Sequence, residues 1–174
     1  MTTKTFSRQR DGFLISSDRS LLSISAISEA FASDAMYWCK PMKRESLRLC
    51  LDNSFCLGLY IDRSASHPPA LATPPASEQI GLLRMITDYT TFAYLTDVYV
   101  LSDYQGKGLG RWLIECTDEL LGEMGDLRRA MLITGEGKGE EFYEKELGFK
   151  RIEQGRGGLC VMHRLGEGAV ERLR

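Results

Sequence analysis

The sequence predicts an α/β fold built on a mixed sheet, and three observations carry that prediction. Residues 91–101 read TFAYLTDVYVL, apolar in both alternating sets, as a central strand covered on two faces requires. Residues 79–87 form a second β-prone run, separated from the first by Asp88, Tyr89 and Thr90, so the pair predicts an antiparallel hairpin. Beyond the central strand a glycine-rich turn leads into a helical pattern and then an apolar run at 129–134, the order of a β-α-β unit.

The remaining elements follow in chain order. Residues 12–16 predict a short strand, and Asp18 offers a helix cap ahead of Ile24, Ile27 and Phe31 at helical spacing. Pro41 marks a break before a second helix at 44–51, with Leu47, Cys50 and Leu51 on one face. Residues 54–61 are rich in aromatic and aliphatic side chains and return as a strand. Residues 64–77 hold four of the five prolines without any period, which predicts an exposed, partly extended connection inside the domain. After the hairpin, a helix is expected at 107–121 with Leu109, Leu113, Cys116 and Leu120 on one stripe. A strand at 129–134, a short helix at 138–147 and two closing strands at 149–153 and 159–164 complete the reading.

Composition bounds the function. The chain has 174 residues, enough for one domain over 1–174 and a tight fit for two. Its 22 Lys and Arg against 24 Asp and Glu leave a net charge of -2, so a nucleic-acid partner is not expected. The longest apolar run, near residues 92–101, falls well short of the roughly 20 residues of a membrane span. The start of the chain carries Lys4, Arg8 and Arg10 but only a short apolar run at 13–15, so a secretory signal is not expected either, and the protein reads as cytoplasmic. Five cysteines (Cys39, Cys50, Cys56, Cys116, Cys160) with no Cys-x-x-Cys pair suggest core thiols. His67 and His163 form no His-Glu-x-x-His motif and there is no Gly-x-Ser-x-Gly elbow, so neither a metal site nor a nucleophilic hydrolase is predicted.

The chemistry concentrates in the turn Gln105-Gly106-Lys107-Gly108-Leu109-Gly110, which joins a strand directly to a helix. Glycines let backbone N–H groups approach a diphosphate closely, the helix start adds partial positive charge, and Lys107 could add a full one. Three phosphate loops can be compared. A P-loop needs Ser or Thr after its lysine, and Gly108 stands there. A dinucleotide fingerprint needs Gly-x-Gly-x-x-Gly, whereas this turn reads Gly-x-Gly-x-Gly. The spacing of Gln105, Gly108 and Gly110 instead resembles Gln/Arg-x-x-Gly-x-Gly/Ala, the pyrophosphate signature of the GNAT superfamily of acetyl-CoA-dependent N-acetyltransferases.

Tyr143-Glu144-Lys145-Glu146-Leu147-Gly148-Phe149 is similar to the Tyr-Glu-Lys-x-Gly-Phe segment of that superfamily, and the similarity covers roughly residues 12–164. The resemblance implies a GNAT-like mixed sheet of six to seven strands, with helices on both faces and a splayed strand pair. It also implies acetyl-CoA as cofactor, held by the backbone of Val98, Tyr99 and Val100 along its pantetheine arm and by residues 105–110 at its pyrophosphate. Tyr143 would then stand near the thioester sulfur. This chain has one residue more before Gly148 than the family segment, and one residue in a helix is a rotation of about 100°. Either the turn before Gly148 absorbs it, or Phe142 takes the place of Tyr143.

Direct transfer to an amine of a small molecule or peptide is expected. A non-catalytic module that binds acyl-CoA as a regulatory ligand is the alternative, and a homodimer is left open. Asp97, a carboxylate on an otherwise apolar strand face, is either the general base acting through water or a structural group paired with an arginine such as Arg84. Glu140, Glu141 and Asp88 are further base candidates. Tyr89, Tyr94 and Trp38 either line the acceptor pocket or are ordinary core and rim aromatics.

Overall fold

The computed structural model describes residues 5–62 and 77–152. The prolines at 68–75, the last expected strand at 159–164, both histidines and Cys160 lie outside the described residues. Six strands form one sheet in simple sequence order: β1 (Ser7–Arg10), β2 (Phe13–Ser16), β3 (Phe55–Asp62), β4 (Ser77–Thr87), β5 (Phe92–Val100) and β6 (Arg129–Leu132). Neighbours are antiparallel except β5 and β6, which run parallel because α3 (Leu109–Gly122) crosses between them. The other helices are α1 (Ile24–Phe31), α2 (Arg44–Asp52) and α4 (Lys138–Leu147). None of the described helices is long and apolar enough to cross a membrane.

Strand alternation sends neighbouring side chains to opposite faces, and two cores result. Leu57, Leu83, Met85 and Leu95 pack with Trp112, Leu113, Ile114 and Leu120 of α3. Cys56 and Leu82 pack instead with Ile27 and Phe31 of α1 and Leu47 and Leu51 of α2. Leu113 and Ile114 are fully buried, each worth about 1.5–3 kcal/mol relative to exposure.

Several boundaries differ from the sequence reading. β1 was not expected; Asp11 and Gly12, at φ 51° and 78°, make a two-residue turn that pairs Arg10 with Phe13. Asp18 caps a short 3-10 turn, and the cap of α1 is Ser23, whose hydroxyl accepts from Ala26 N–H. α3 starts at Leu109 rather than at 107, because Gly106 and Gly108 are left-handed and cannot be helical. The described part of the strand expected at 149–153 is irregular.

The described cysteines are free thiols. Burial pushes those of Cys56 and Cys116 up from 9.0 to about 11. The unfolded chain loses these protons near pH 9 while the folded chain keeps them, so stability is full below that pH and falls as pH rises toward 11. Thermal melts should show Tm dropping between pH 9 and 11, with a shallower slope in Cys56→Ala/Cys116→Ala. An unchanged slope in that variant would remove the thiols as its cause.

Candidate active site

β5 and β6 part after Leu95: their parallel pairing runs from Phe92 with Arg129 to Leu95 with Leu132 and stops there. On its other edge β5 stays paired with β4 as far as Val100. Residues 98–100 therefore have one backbone edge that no described strand covers, which is the splay the family resemblance implies. Just before it, the β4–β5 register shifts so that Leu83 faces both Asp97 and Val98. Asp97 takes a left-handed φ of 49° at this bulge, bending the strand where the free edge begins.

A short 3-10 turn at Ser102–Tyr104 separates that edge from the glycine turn. Gly106 and Gly108 have φ of 77° and 74°, and a Cβ added at either meets nothing within 4 Å, so the turn opens onto space rather than onto neighbouring side chains. Gly108 is the N-cap of α3 and has no side chain to occupy the first-turn amides. Those amides and the helix dipole form a seat for an anion. Gln105 Nε2 donates to Val100 O at 2.8 Å, tying the turn to the end of β5. From behind, Arg10 of β1 stacks on Trp112, 4.6 Å from the ring centroid, and reaches Gly108 O at 3.5 Å.

A cleft of about 1440 Å³ follows the free edge and the turn. Val98, Tyr99, Val100, Gln105, Gly106, Gly108, Leu109 and Gly110 all line it. The Leu109 side chain is buried, so its main chain is what it offers. Lys107 is not among the lining residues: its Nζ sits 5.1 Å from the centre of the Tyr104 ring, a cation–π contact, so the full charge expected of it is turned elsewhere.

Tyr143 enters the same cleft from α4. The helix runs on to Leu147 and closes on left-handed Gly148, whose N–H donates to Glu144 O at 3.0 Å. The additional residue thus sits in the last helical turn, and both Phe142 and Tyr143 reach the cleft. Burial pushes the Tyr143 phenol up to about 12.

Asp97 lies apart from the lining residues. It is 9% exposed, and Arg84 Nε donates to its Oδ2 at 2.6 Å while Arg84 Nη1 donates to Ser54 Oγ at 3.0 Å. Of its two expected roles, the geometry supplies the pairing with Arg84. Asp88 is committed to the β4–β5 turn: the Thr91 hydroxyl donates to its Oδ2 and the N–H groups of Thr90, Thr91 and Phe92 donate to its Oδ1, and these bonds, the hydroxyl's first, hold its carboxyl well below the usual range. Glu140 pairs with Arg151. Neither of them, nor Glu141, lines the cleft.

Among the aromatics, Trp38 is in the cleft wall, whereas Tyr94 is not and Tyr89 sits at the hairpin end, edge-on to Phe55. The sequence reading missed the α1 wall, including Ser25 and Glu29 at helical spacing, with Ser33 just beyond the helix, and Arg111 on the first turn of α3. The polar residues of α1 at that spacing were the available signal.

The profile of the acetyltransferase (GNAT) family matches residues 33–149. The chain belongs to the GNAT acetyltransferase family. Consistent with that membership, a "putative acetyltransferase" of Gibberella zeae is 38% identical over 96% of this chain and 97% of its own. Among solved structures, a GNAT-family "putative acetyltransferase" from Xanthomonas campestris pv. campestris superposes with a TM-score of 0.71 at 26% identity, covering 92% of this chain and 97% of that one. Glucosamine-6-phosphate N-acetyltransferase from Arabidopsis thaliana shares the fold, with a TM-score of 0.54 at 16% identity over 89% of this chain and 99% of that one. In this GNAT chain, β1 and α1 precede the matched span yet supply the brace at Gly108 and one wall of the cleft.

Proposed function

We propose that the protein is an acetyl-CoA-dependent N-acetyltransferase that passes the acetyl group directly to a primary amine of a small molecule or peptide. The observation that carries this reading is that the free edge of residues 98–100 and an uncapped glycine turn line one cleft. An extended amide-bearing arm ending in a diphosphate needs those two features side by side. The residues fit such a group: Val98, Tyr99 and Val100 would hold the arm through main-chain bonds, and the amides after Gly106 and Gly108 would hold the diphosphate. When bound, acetyl-CoA supplies an activated acyl group whose thiol, of pKa about 8.5, is a good leaving group.

The chain's own residues then have modest work. The Tyr143 phenol, kept protonated by burial, hydrogen-bonds the departing thiolate and passes it a proton, and the proton that the amine nitrogen loses on acylation restores the phenol. The N–H of Val98, beside the bulge, is assigned to the negative charge that develops on the carbonyl oxygen. Asp97 positions that bulge through Arg84 rather than acting as the base. An alkyl amine of pKa about 10.4 is neutral in roughly one molecule in 2,500 at pH 7, so its proton must leave to solvent before attack. The free thiols fit a reducing compartment, and we place the activity in the cytoplasm.

A regulatory module binding acyl-CoA would use the same seat, but Tyr143 in the cleft favours an enzyme. Release of CoA thiol should be followed with polyamines, amino acids, aminoglycosides and peptides as acceptors. Turnover with one of these is expected; tight CoA binding without turnover across the panel would favour the module. With the acceptor that works, Tyr143→Phe should lower kcat about 10- to 100-fold with KM for acetyl-CoA nearly unchanged. A wild-type kcat would remove the phenol from the mechanism.

A further inference from the structure

Arg111 follows the last glycine of the turn, lies in the first turn of α3 and lines the cleft. Its Nη2 is 2.9 Å from Oε1 of Glu146 on α4. The Glu146 side chain is only 13% exposed, and its Oε1 has no well-aligned hydrogen bond, so the Arg111 charge compensates it. Glu146 stands three residues after Tyr143, which places the two side chains within about 60° of each other around the helix. Half of the Arg111 side chain remains exposed. A guanidinium has five donors in a planar fork, enough to hold a carboxylate and a phosphate oxygen together.

One side chain therefore stands between the start of α3, where the anion seat is, and the helix that carries Tyr143. We propose that Arg111 and Glu146 are positioning residues: they tie the diphosphate seat to α4, so that filling the seat sets the placement of Tyr143. This rests on the reading of the cleft given above, and it makes the nucleotide end of the cofactor a determinant of the acid at the other end.

The test uses the full chain with 3-fluorotyrosine at position 143, followed by fluorine NMR. The ligand is 3′-phosphoadenosine 5′-diphosphate, which carries the diphosphate and lacks the arm that would reach Tyr143. Saturating ligand should displace the fluorine resonance in the otherwise native protein. Glu146→Gln, nearly isosteric, should abolish that displacement while binding the ligand within about fivefold of native affinity. Arg111→Lys, which keeps a charge but loses the fork, should weaken both. A merely structural pair would lower Tm in the variants and leave the resonance response intact. An undiminished response in Glu146→Gln, or no response in the native protein with ligand bound, overturns the inference. Failure of the native protein to bind either CoA or the fragment in calorimetry would instead overturn the reading of the cleft, and this inference with it.

Discussion

Gly108→Asp is expected to weaken CoA binding by about 100-fold or more, since a like charge set against a phosphate costs several kcal/mol. Gly108 occupies the N-cap of α3 without offering it a side chain, although Ser, Thr, Asp and Asn are the residues that usually satisfy helix-start amides. Its left-handed φ of 74° explains part of that choice. Space does not, because a Cβ there meets nothing within 4 Å. What remains is that the amides are kept for something brought from outside. Aspartate puts a carboxylate beside them and opposes a diphosphate by charge as well as by position. Gly108→Asn separates the effects: it has the same shape and the same tolerance of left-handed backbone, without the charge. Calorimetric titration with CoA should rank native above Asn and Asn well above Asp, with both variants folded. Native affinity in Gly108→Asp would show that no phosphate lies at this turn.

The turn was legible in the sequence because its chemistry is local. Glycines at fixed spacing between a strand and a helix leave few alternatives, and the same holds for the apolar run of β5 and the amphipathic stripe of α3. β1 was harder to see, since Ser7–Arg10 is polar and exposed along its length and has no hydrophobic period. Beyond its pairing with β2, its side-chain contacts are distant in sequence: an Arg8–Glu119 ion pair and the Arg10 contacts with α3. The Asp11-Gly12 pair was a usable hairpin signal that the strand reading at 12–16 passed over. The α3 boundary moved by two residues because helical periodicity is blind to φ, and Gly108 decides where the helix starts.

The site shows the same division. Its backbone components were readable from motif spacing, whereas its side-chain partnerships were not. Lys107 was read only as a charge for the phosphate, and its contact with the Tyr104 ring appears only in the tertiary structure. The Arg111–Glu146 pair joins residues on different helices, and no periodicity connects them. Tyr143 was ambiguous by one helical residue, and because the helix keeps that residue and closes at Gly148, both Phe142 and Tyr143 face the cleft.

Removing the partner of Asp97 should have the largest effect on stability. Arg84 and Asp97 are 13% and 9% exposed and 2.6 Å apart, on β4 and β5 at the bulge. Arg84→Met would leave a carboxylate nearly buried with its charge uncompensated, which costs about 3–5 kcal/mol, or on the order of 10 °C in Tm for a chain of this size. Removing both charges is gentler. Arg84→Met/Asp97→Asn leaves no buried ion, and asparagine tolerates the left-handed φ of 49° that the bulge imposes at this position. Most of the lost Tm should return in the double variant. The same protein then separates the two roles a carboxylate here could have. A group that takes the amine's proton cannot be replaced by an amide, so a general base at Asp97 would leave the double variant folded and inactive. A group that shapes the strand can be replaced, and acetyl transfer should persist within about tenfold of native, the loss that a small misplacement at Val98 would bring. Tm and kcat moving together through the three proteins would support the bulge as the function of Asp97; recovery of Tm with kcat still abolished would return it to the chemistry.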